Sequence, residues 1–149
     1  MLIPRKKNLA LLGLGFSIGT PLGGITAEVI VVDSFHQLKT KGKDQIKGKI
    51  VVFNEKFVSY GETVQYRGKG ASEAAKFGAL AVMIRSIAPY SLNTPHTGMQ
   101  SYEMNVTQIP TCAITIEDAE LMARLQAMGN LKRFEIEYHY IYLGNLMKF

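Results

Sequence analysis

The chain has 149 residues and a mass of 16.5 kDa, room for one compact domain and no second. Hydrophobic residues at 47% and charged residues at 19%, with 14 Gly and 5 Pro, exclude collagen-like, low-complexity and wholly disordered classes. The 17 Lys and Arg against 12 Asp and Glu leave a net charge of +5, a surplus that names no partner, and a single cysteine excludes a disulfide scaffold and a zinc finger.

At the amino terminus, Arg5-Lys6-Lys7 precedes the apolar stretch Leu9 to Phe16, the outline of a secretory signal. The stretch is too short to span a bilayer. Thr20-Pro21-Leu22-Gly23-Gly24 then puts a turn where small cleavage-site residues belong, so no convincing signal peptide results. Gly13-Leu14-Gly15-Phe16-Ser17-Ile18-Gly19 has the glycine spacing of a phosphate-cradling loop. The Pro and paired Gly behind it break the helix such a loop must open, and a glycine-rich surface loop is expected instead.

Glu28 to Val32 and Lys49 to Phe53 are short β-branched runs that read as strands. Between them, the lysine-rich stretch Lys39 to Gly48 has neither aromatic platforms nor Arg base readers. It reads as a solvated loop and predicts no nucleic-acid partner. From Gly68 to Ala79 the period changes, since Ala71, Ala74, Ala75 and Gly78 form one helical stripe of small residues suited to close packing on a sheet. Leu80 to Ile84 follows as an unbroken apolar run, the pattern of a strand buried on both faces.

Ala88 to Gln108, with Pro89, Asn93, Pro95, His96 and Gly98, has no periodicity and reads as a long surface loop of the kind that carries function. Pro110 to Ile116 is extended, with Cys112 expected in the core. Thr115 and Asp118 fit a capping box. Leu121, Met122, Leu125 and Met128 then form a helical apolar stripe, both methionines serving as core filler, and Gly129-Asn130 stops it. Phe134 to Tyr142 alternates with Glu135, Glu137 and His139, a period-two strand with one wet face, and Gly144 to Phe149 carries no signal.

Hydrolytic or redox chemistry needs a nucleophile beside a base, a set of metal ligands, or two carboxylates of split pKa. His36, His96 and His139 are scattered; Glu135 and Glu137 suit a solvated sheet face; Glu117, Asp118 and Glu120 suit the positive end of a helix dipole. No catalytic residue and no metal ligand is expected. Asn105-Val106-Thr107 is an N-glycosylation acceptor triplet in the long loop, which makes Asn105 the candidate modification site.

Three blocks, in order, resemble protease-associated (PA) domains: Gly48-Lys49-Ile50-Val51-Val52-Phe53; Ala71, Ala74, Ala75, Gly78, Ala79, Ala81 and Val82; and Ile109-Pro110-Thr111 with Ile114-Thr115-Ile116-Glu117-Asp118-Ala119. More narrowly, Ser17-Ile18-Gly19-Thr20-Pro21, Gly24-Ile25-Thr26-Ala27-Glu28-Val29, Thr63-Val64-Gln65-Tyr66-Arg67, Ile84-Arg85-Ser86 and Pro95-His96-Thr97-Gly98 resemble the PA insert of carboxypeptidase Q-like zinc peptidases. The match runs from about Pro4 to about Tyr140.

The resemblance implies an α+β fold, a β-rich PA-domain sandwich or barrel flanked by two short helices. It also implies a parent enzyme: a secreted or lysosomal, glycosylated, homodimeric metallopeptidase that uses two zinc ions to hydrolyse dipeptides and small peptides. In that family the zinc ligands and the general-base carboxylate lie in a separate peptidase domain, so none is carried over to a residue here. The chain is then expected to be a fragment, inactive alone and without a membrane span, that covers the active-site cleft of its peptidase domain or serves dimer contacts. The alternative is a free-standing PA-like module that binds a protein or peptide through the loop Ala88 to Gln108.

Overall fold

Residues 29–32, 50–53, 81–84 and 111–114 are buried at every position. Such runs cannot present a wet face, and they become the centre of a sheet covered on both sides. The computed structural model describes residues 8–90 and 92–129, together with the backbone of 133–136. In chain order the elements are β1 (Leu11–Gly13), β2 (Ile25–Val32), α1 (Phe35–Ile46), β3 (Ile50–Phe53), α2 (Tyr60–Ala75), β4 (Ala81–Arg85), β5 (Thr111–Ile114), α3 (Ile116–Ala127) and β6 (Arg133–Ile136).

The strands lie in the order β1-β5-β4-β3-β2-β6. β2, β3, β4 and β5 are mutually parallel, and β1 and β6 close the two edges antiparallel. The α+β class expected from the sequence holds. The strands make one continuous sheet in which β2 changes partner midway: Ile25 to Glu28 pair with β6, whereas Val29 to Val32 pair with β3. Where β6 has ended, the carboxamide of Gln126 in α3 takes over the edge of β2. It accepts from Val31 N at 2.7 Å and donates to Val31 O at 2.9 Å, which satisfies main-chain groups that an open edge would expose.

Because side chains alternate across a strand, the sheet feeds two cores. Ile30, Val32, Val51, Phe53, Val82, Ile84 and Ala113 face Leu38 and Ile46 of α1 and Ala71 and Ala74 of α2. On the other side Val29, Val31, Ile50, Val52, Met83, Cys112 and Ile114 face Ala119 and Met122 of α3. The small-residue stripe of α2 does what its period predicts, with Ala71 and Ala74 fully buried. Cys112 is likewise in the core, as expected.

Three expectations need correction. Lys39 to Gly48, read as a solvated loop, is mostly helix, so the helices flanking the sheet number three among the described residues. Ser34 caps α1 by accepting from Gln37 N, and Leu38 and Ile46 dock on the sheet while the lysines point outward. Gly42, at φ 65°, kinks the helix and shifts its phase, which hides the period from a regular helical template. Next, α2 begins at Tyr60 rather than near Gly68, with Ser59 as its cap. Gly68 and Gly70 are poor helix formers, and packing overrides that preference. Finally, Met122 fills the core as predicted, but Met128 is the C-cap of α3 and is 62% exposed.

The capping of α3 by Thr115, whose Oγ1 accepts from Asp118 N at 3.0 Å, is as read from the sequence. The strand expected over Phe134 to Tyr142 is represented by β6; its continuation beyond residue 136, the side chains of Glu135, Glu137 and His139, and Gly144 to Phe149 lie outside the described residues. The apolar stretch that imitates a signal supplies edge strand β1 and the buried core residue Leu14.

Candidate functional site

In parallel sheets, ligands gather where loops leave the carboxyl ends of the strands. Here that edge carries Asp33 after β2, Asn54 and Glu55 after β3, and Arg85 and Ser86 at the end of β4. Behind it an aromatic wedge joins three elements. Phe35 of α1 stacks on Tyr66 of α2 at 4.4 Å between ring centroids, and meets Phe53 of β3 edge-on at 5.3 Å.

The wedge supports a cluster of acids. Burial, then the neighbouring Asp33 carboxylate, pushes Glu55 above the ordinary carboxylate range, opposed by a hydrogen bond with the Tyr66 hydroxyl and by Arg85. Burial and then Glu55 raise Tyr66 in turn. Beside them Arg85 donates from Nη1 to Asn54 Oδ1 at 2.9 Å and pairs through Nη2 with Glu120 Oε1 at 3.1 Å. Its side chain is 10% exposed and its Nε finds no acceptor among the described residues. Glu55 and the Tyr66 hydroxyl are thus hydrogen-bonded in a half-buried setting, beside the exposed Asp33 carboxylate and a fixed cation, an arrangement able to hold a polar or cationic group.

The long loop 88–108 is a surface loop as expected, and it is clamped along its length. Glu117 Oε1 accepts from Asn93 N at 3.2 Å, and Ser86 Oγ accepts from His96 N at 2.8 Å while donating to Ile114 O. Arg67, 8% exposed, then reaches across from α2: Nη1 donates to Thr97 O at 3.1 Å and Nη2 to the Tyr60 hydroxyl at 2.5 Å. Gly98 lies against that guanidinium. Farther on, Gly15 bridges to Met99, Gln100 Nε2 donates to Phe16 O, and Tyr102 accepts from Ile18 N while donating to Ile109 O.

Two of the short sequence blocks, Thr63 to Arg67 and Pro95 to Gly98, are therefore brought into contact by Arg67. The Gly15 bridge likewise joins the glycine loop after β1 to the stretch around Met99, and Phe16 and Met99 are 70% and 66% exposed. The phosphate-loop alternative has no counterpart, because the element that follows Gly19 is strand β2 and not a helix.

The scattered histidines stay scattered in role: His36 is exposed in the first turn of α1, and His96 is half-buried in the clamped loop. Glu117 and Glu120 do stand in the first turns of α3, but they also tie the loop and Arg85 to it. Asp33, Glu55, Tyr66 and Arg85 were not singled out by sequence reasoning as site residues. The cap pattern Ser34-Phe35-His36-Gln37 would have revealed α1, and with it the position of Asp33 at a strand end.

No protein-family profile matches the chain. Over 129 residues it is 61% identical to carboxypeptidase Q of Xenopus laevis, an alignment that covers 87% of this chain and 27% of that protein. The chain is carboxypeptidase Q-like over most of its length. Among solved structures, a peptidase M28 precursor from Shewanella amazonensis SB2B matches with a TM-score of 0.84 and 32% identity, covering 90% of this chain and 32% of the other. A zinc aminopeptidase from Bacillus subtilis matches at 0.60 and 26% identity, over 89% of this chain and 28% of its own. The carboxypeptidase Q-like stretch is thus homologous to one part of longer peptidases, and spans about a quarter of the curated relatives it matches.

Zinc belongs to such relatives by name, and the described residues here do not suit it. No three His, Cys, Asp or Glu side chains come together among them. The Cys112 thiol is enclosed by the core, and burial pushes its pKa up to about 12. At the carboxyl edge Glu55 is engaged with Tyr66 and Arg85, and Asp33 accepts from the Ser34 hydroxyl. No described helix is long and apolar enough to cross a membrane.

Proposed function

We propose that this chain is the non-catalytic insert of a carboxypeptidase Q-like zinc peptidase, and that its carboxyl edge and clamped loop border the cleft of the peptidase domain. The parent hydrolyses dipeptides and small peptides, works in the secretory pathway or lysosome, and pairs as a homodimer. This chain contributes recognition: Asp33, Glu55 and Tyr66 offer acceptors and a donor to a polar group, and the Arg67 latch keeps the neighbouring loop in one shape. Holding a loop rigid removes the entropy cost of ordering it at each encounter.

The observation that carries the reading is the 61% identity confined to a stretch that makes up 27% of the Xenopus laevis protein. The donor chemistry of the edge supports binding, and no step here is routed through zinc.

A chimera tests it. The aligned 129 residues of Xenopus laevis carboxypeptidase Q are replaced by those of this chain, and dipeptide hydrolysis is measured with the chimera and with this chain alone in the presence of zinc. The chimera is expected to be active and the isolated chain inactive, with Glu55→Gln or Tyr66→Phe in the chimera raising KM while kcat holds. Zinc-dependent hydrolysis by the isolated chain overturns the assignment. A KM indifferent to both substitutions overturns the placement of this edge at the cleft.

A further inference from the structure

The triplet Asn105-Val106-Thr107 is the one N-glycosylation acceptor pattern in the sequence, and the site described above does not use it. Asn105 is exposed, as are Met104 and Thr107 on either side. Its backbone is left-handed at φ 64°, a region asparagine tolerates, within a turn closed by Val106 N donating to Glu103 O at 3.3 Å. No hydrogen bond among the described residues engages its carboxamide. The turn itself is held in place, since Glu103 N donates to Ser72 Oγ at 2.8 Å and the Glu103 carboxylate pairs with Lys76 at 2.8 Å.

Those anchors also fix where the turn sits. Ser72 and Lys76 belong to the end of α2, which runs back across the sheet from the carboxyl edge. At ~1.5 Å per residue, Ser72 is about 18 Å along the helix from Tyr60, the residue that helps clamp the loop at the other end. The end of α2 leads to Gly78, whose carbonyl accepts from Gly48 N just ahead of β3. Asn105 therefore stands toward the amino ends of the strands, away from Asp33, Glu55 and Arg85.

We infer that Asn105 is an acceptor for an N-linked oligosaccharide, carried at the end of the domain opposite the carboxyl edge. In the transfer, Asn105 Nδ2 forms a bond to the anomeric carbon of an oligosaccharide held on a lipid diphosphate. The bond from that carbon to the diphosphate oxygen breaks, the lipid diphosphate leaves, and the proton lost from Nδ2 goes to a base of the transferase. The hydroxyl of Thr107 is the second required element of the triplet. The inference rests on the secretory-pathway part of the proposed function for its natural occurrence, and its test does not depend on that part.

The full chain is translated behind a cleavable signal sequence with microsomes, next to a glycoprotein control. The expected result is one upward mobility step, reversed by a glycosidase, lost in Asn105→Gln and in Thr107→Ala, and kept in Thr107→Ser. A chain that shows no step while the control is modified overturns the inference, as does a step that persists in Asn105→Gln. Either result leaves the chimera assay of the peptidase reading unaffected, so the two can fail separately.

Discussion

The guanidinium of Arg67 occupies the space in which a side chain at Gly98 would begin: a Cβ at residue 98 would overlap the Arg67 Cζ and Nε atoms. Arg67 is buried and held from two sides, by Thr97 O and the Tyr60 hydroxyl, so it has little freedom to withdraw. The contact joins α2 to the loop that runs past the carboxyl edge, and it makes glycine a steric requirement at that point.

Gly98→Ala is accordingly expected to destabilise the domain by about 1–3 kcal/mol, the usual cost of overpacking. The penalty should shrink when Arg67→Ala has already emptied the space. A double-mutant cycle by urea denaturation measures the coupling, expected at roughly 0.5–3 kcal/mol for residues in direct contact. Equal penalties in the two backgrounds would mean that the loop yields and Arg67 is no latch.

Two glycines of α2 should respond in opposite directions. A Cβ at Gly68 meets nothing within 4 Å, so Gly68→Ala gains helix propensity, about 1 kcal/mol, at no packing cost. A Cβ at Gly70 would stand 3.0 Å from Ile84 Cδ1 and 3.2 Å from Phe53 Cε2. Both neighbours are at most 2% exposed and cannot move aside freely, so the overpacking cost of ~1–3 kcal/mol exceeds the propensity gain at Gly70→Ala. Denaturation midpoints that rise for Gly68→Ala and fall for Gly70→Ala are the expected pair.

Glu55 makes stability depend on pH with a definite sign. Burial and Asp33 raise its folded pKa above 4.5, so the folded state holds this proton more tightly than the unfolded chain does. The resulting stabilisation is present below the ordinary value and is lost as pH rises through the folded one. Glu55→Gln removes the titration, and its melting temperature relative to the parent should improve from pH 4 to pH 7. A difference that stays constant across that range would show that Glu55 titrates as it does in water.

Cys112 is expected to be silent toward thiol reagents in the folded protein. With its pKa at about 12, almost no thiolate exists near neutral pH, and the buried sulfur is out of reach. Titration with a chromogenic disulfide should find no reactive thiol in native buffer and one equivalent after denaturation. Reaction of the native protein at the rate of the denatured chain would place the thiol at the surface.

What could be read without coordinates followed from strong local periodicity. Of the run 80–84, residues 81–84 are the doubly covered strand that the pattern required, with Leu80 exposed just ahead of it; the stripe Ala71, Ala74 had to face a sheet, and Thr115 had to cap a helix, because each pattern has few physical alternatives. α1 escaped because Gly42 breaks its phase and its lysines look like a loop. Met128 escaped because a helical stripe does not reveal that the helix has run past the edge of the core.

By itself the sequence determined the class of fold, its buried strands, the resemblance to carboxypeptidase Q-like peptidases and the acceptor triplet at Asn105, since all of these reside in residue type and short spacing. Only the tertiary structure decided that Asp33, Glu55, Tyr66 and Arg85 share one edge, that Arg67 latches Gly98, and that Asn105 lies away from that edge. Those relationships join residues up to 52 positions apart, from Asp33 to Arg85. Burial and strand order create them, and no local pattern encodes which loops a parallel sheet will bring together.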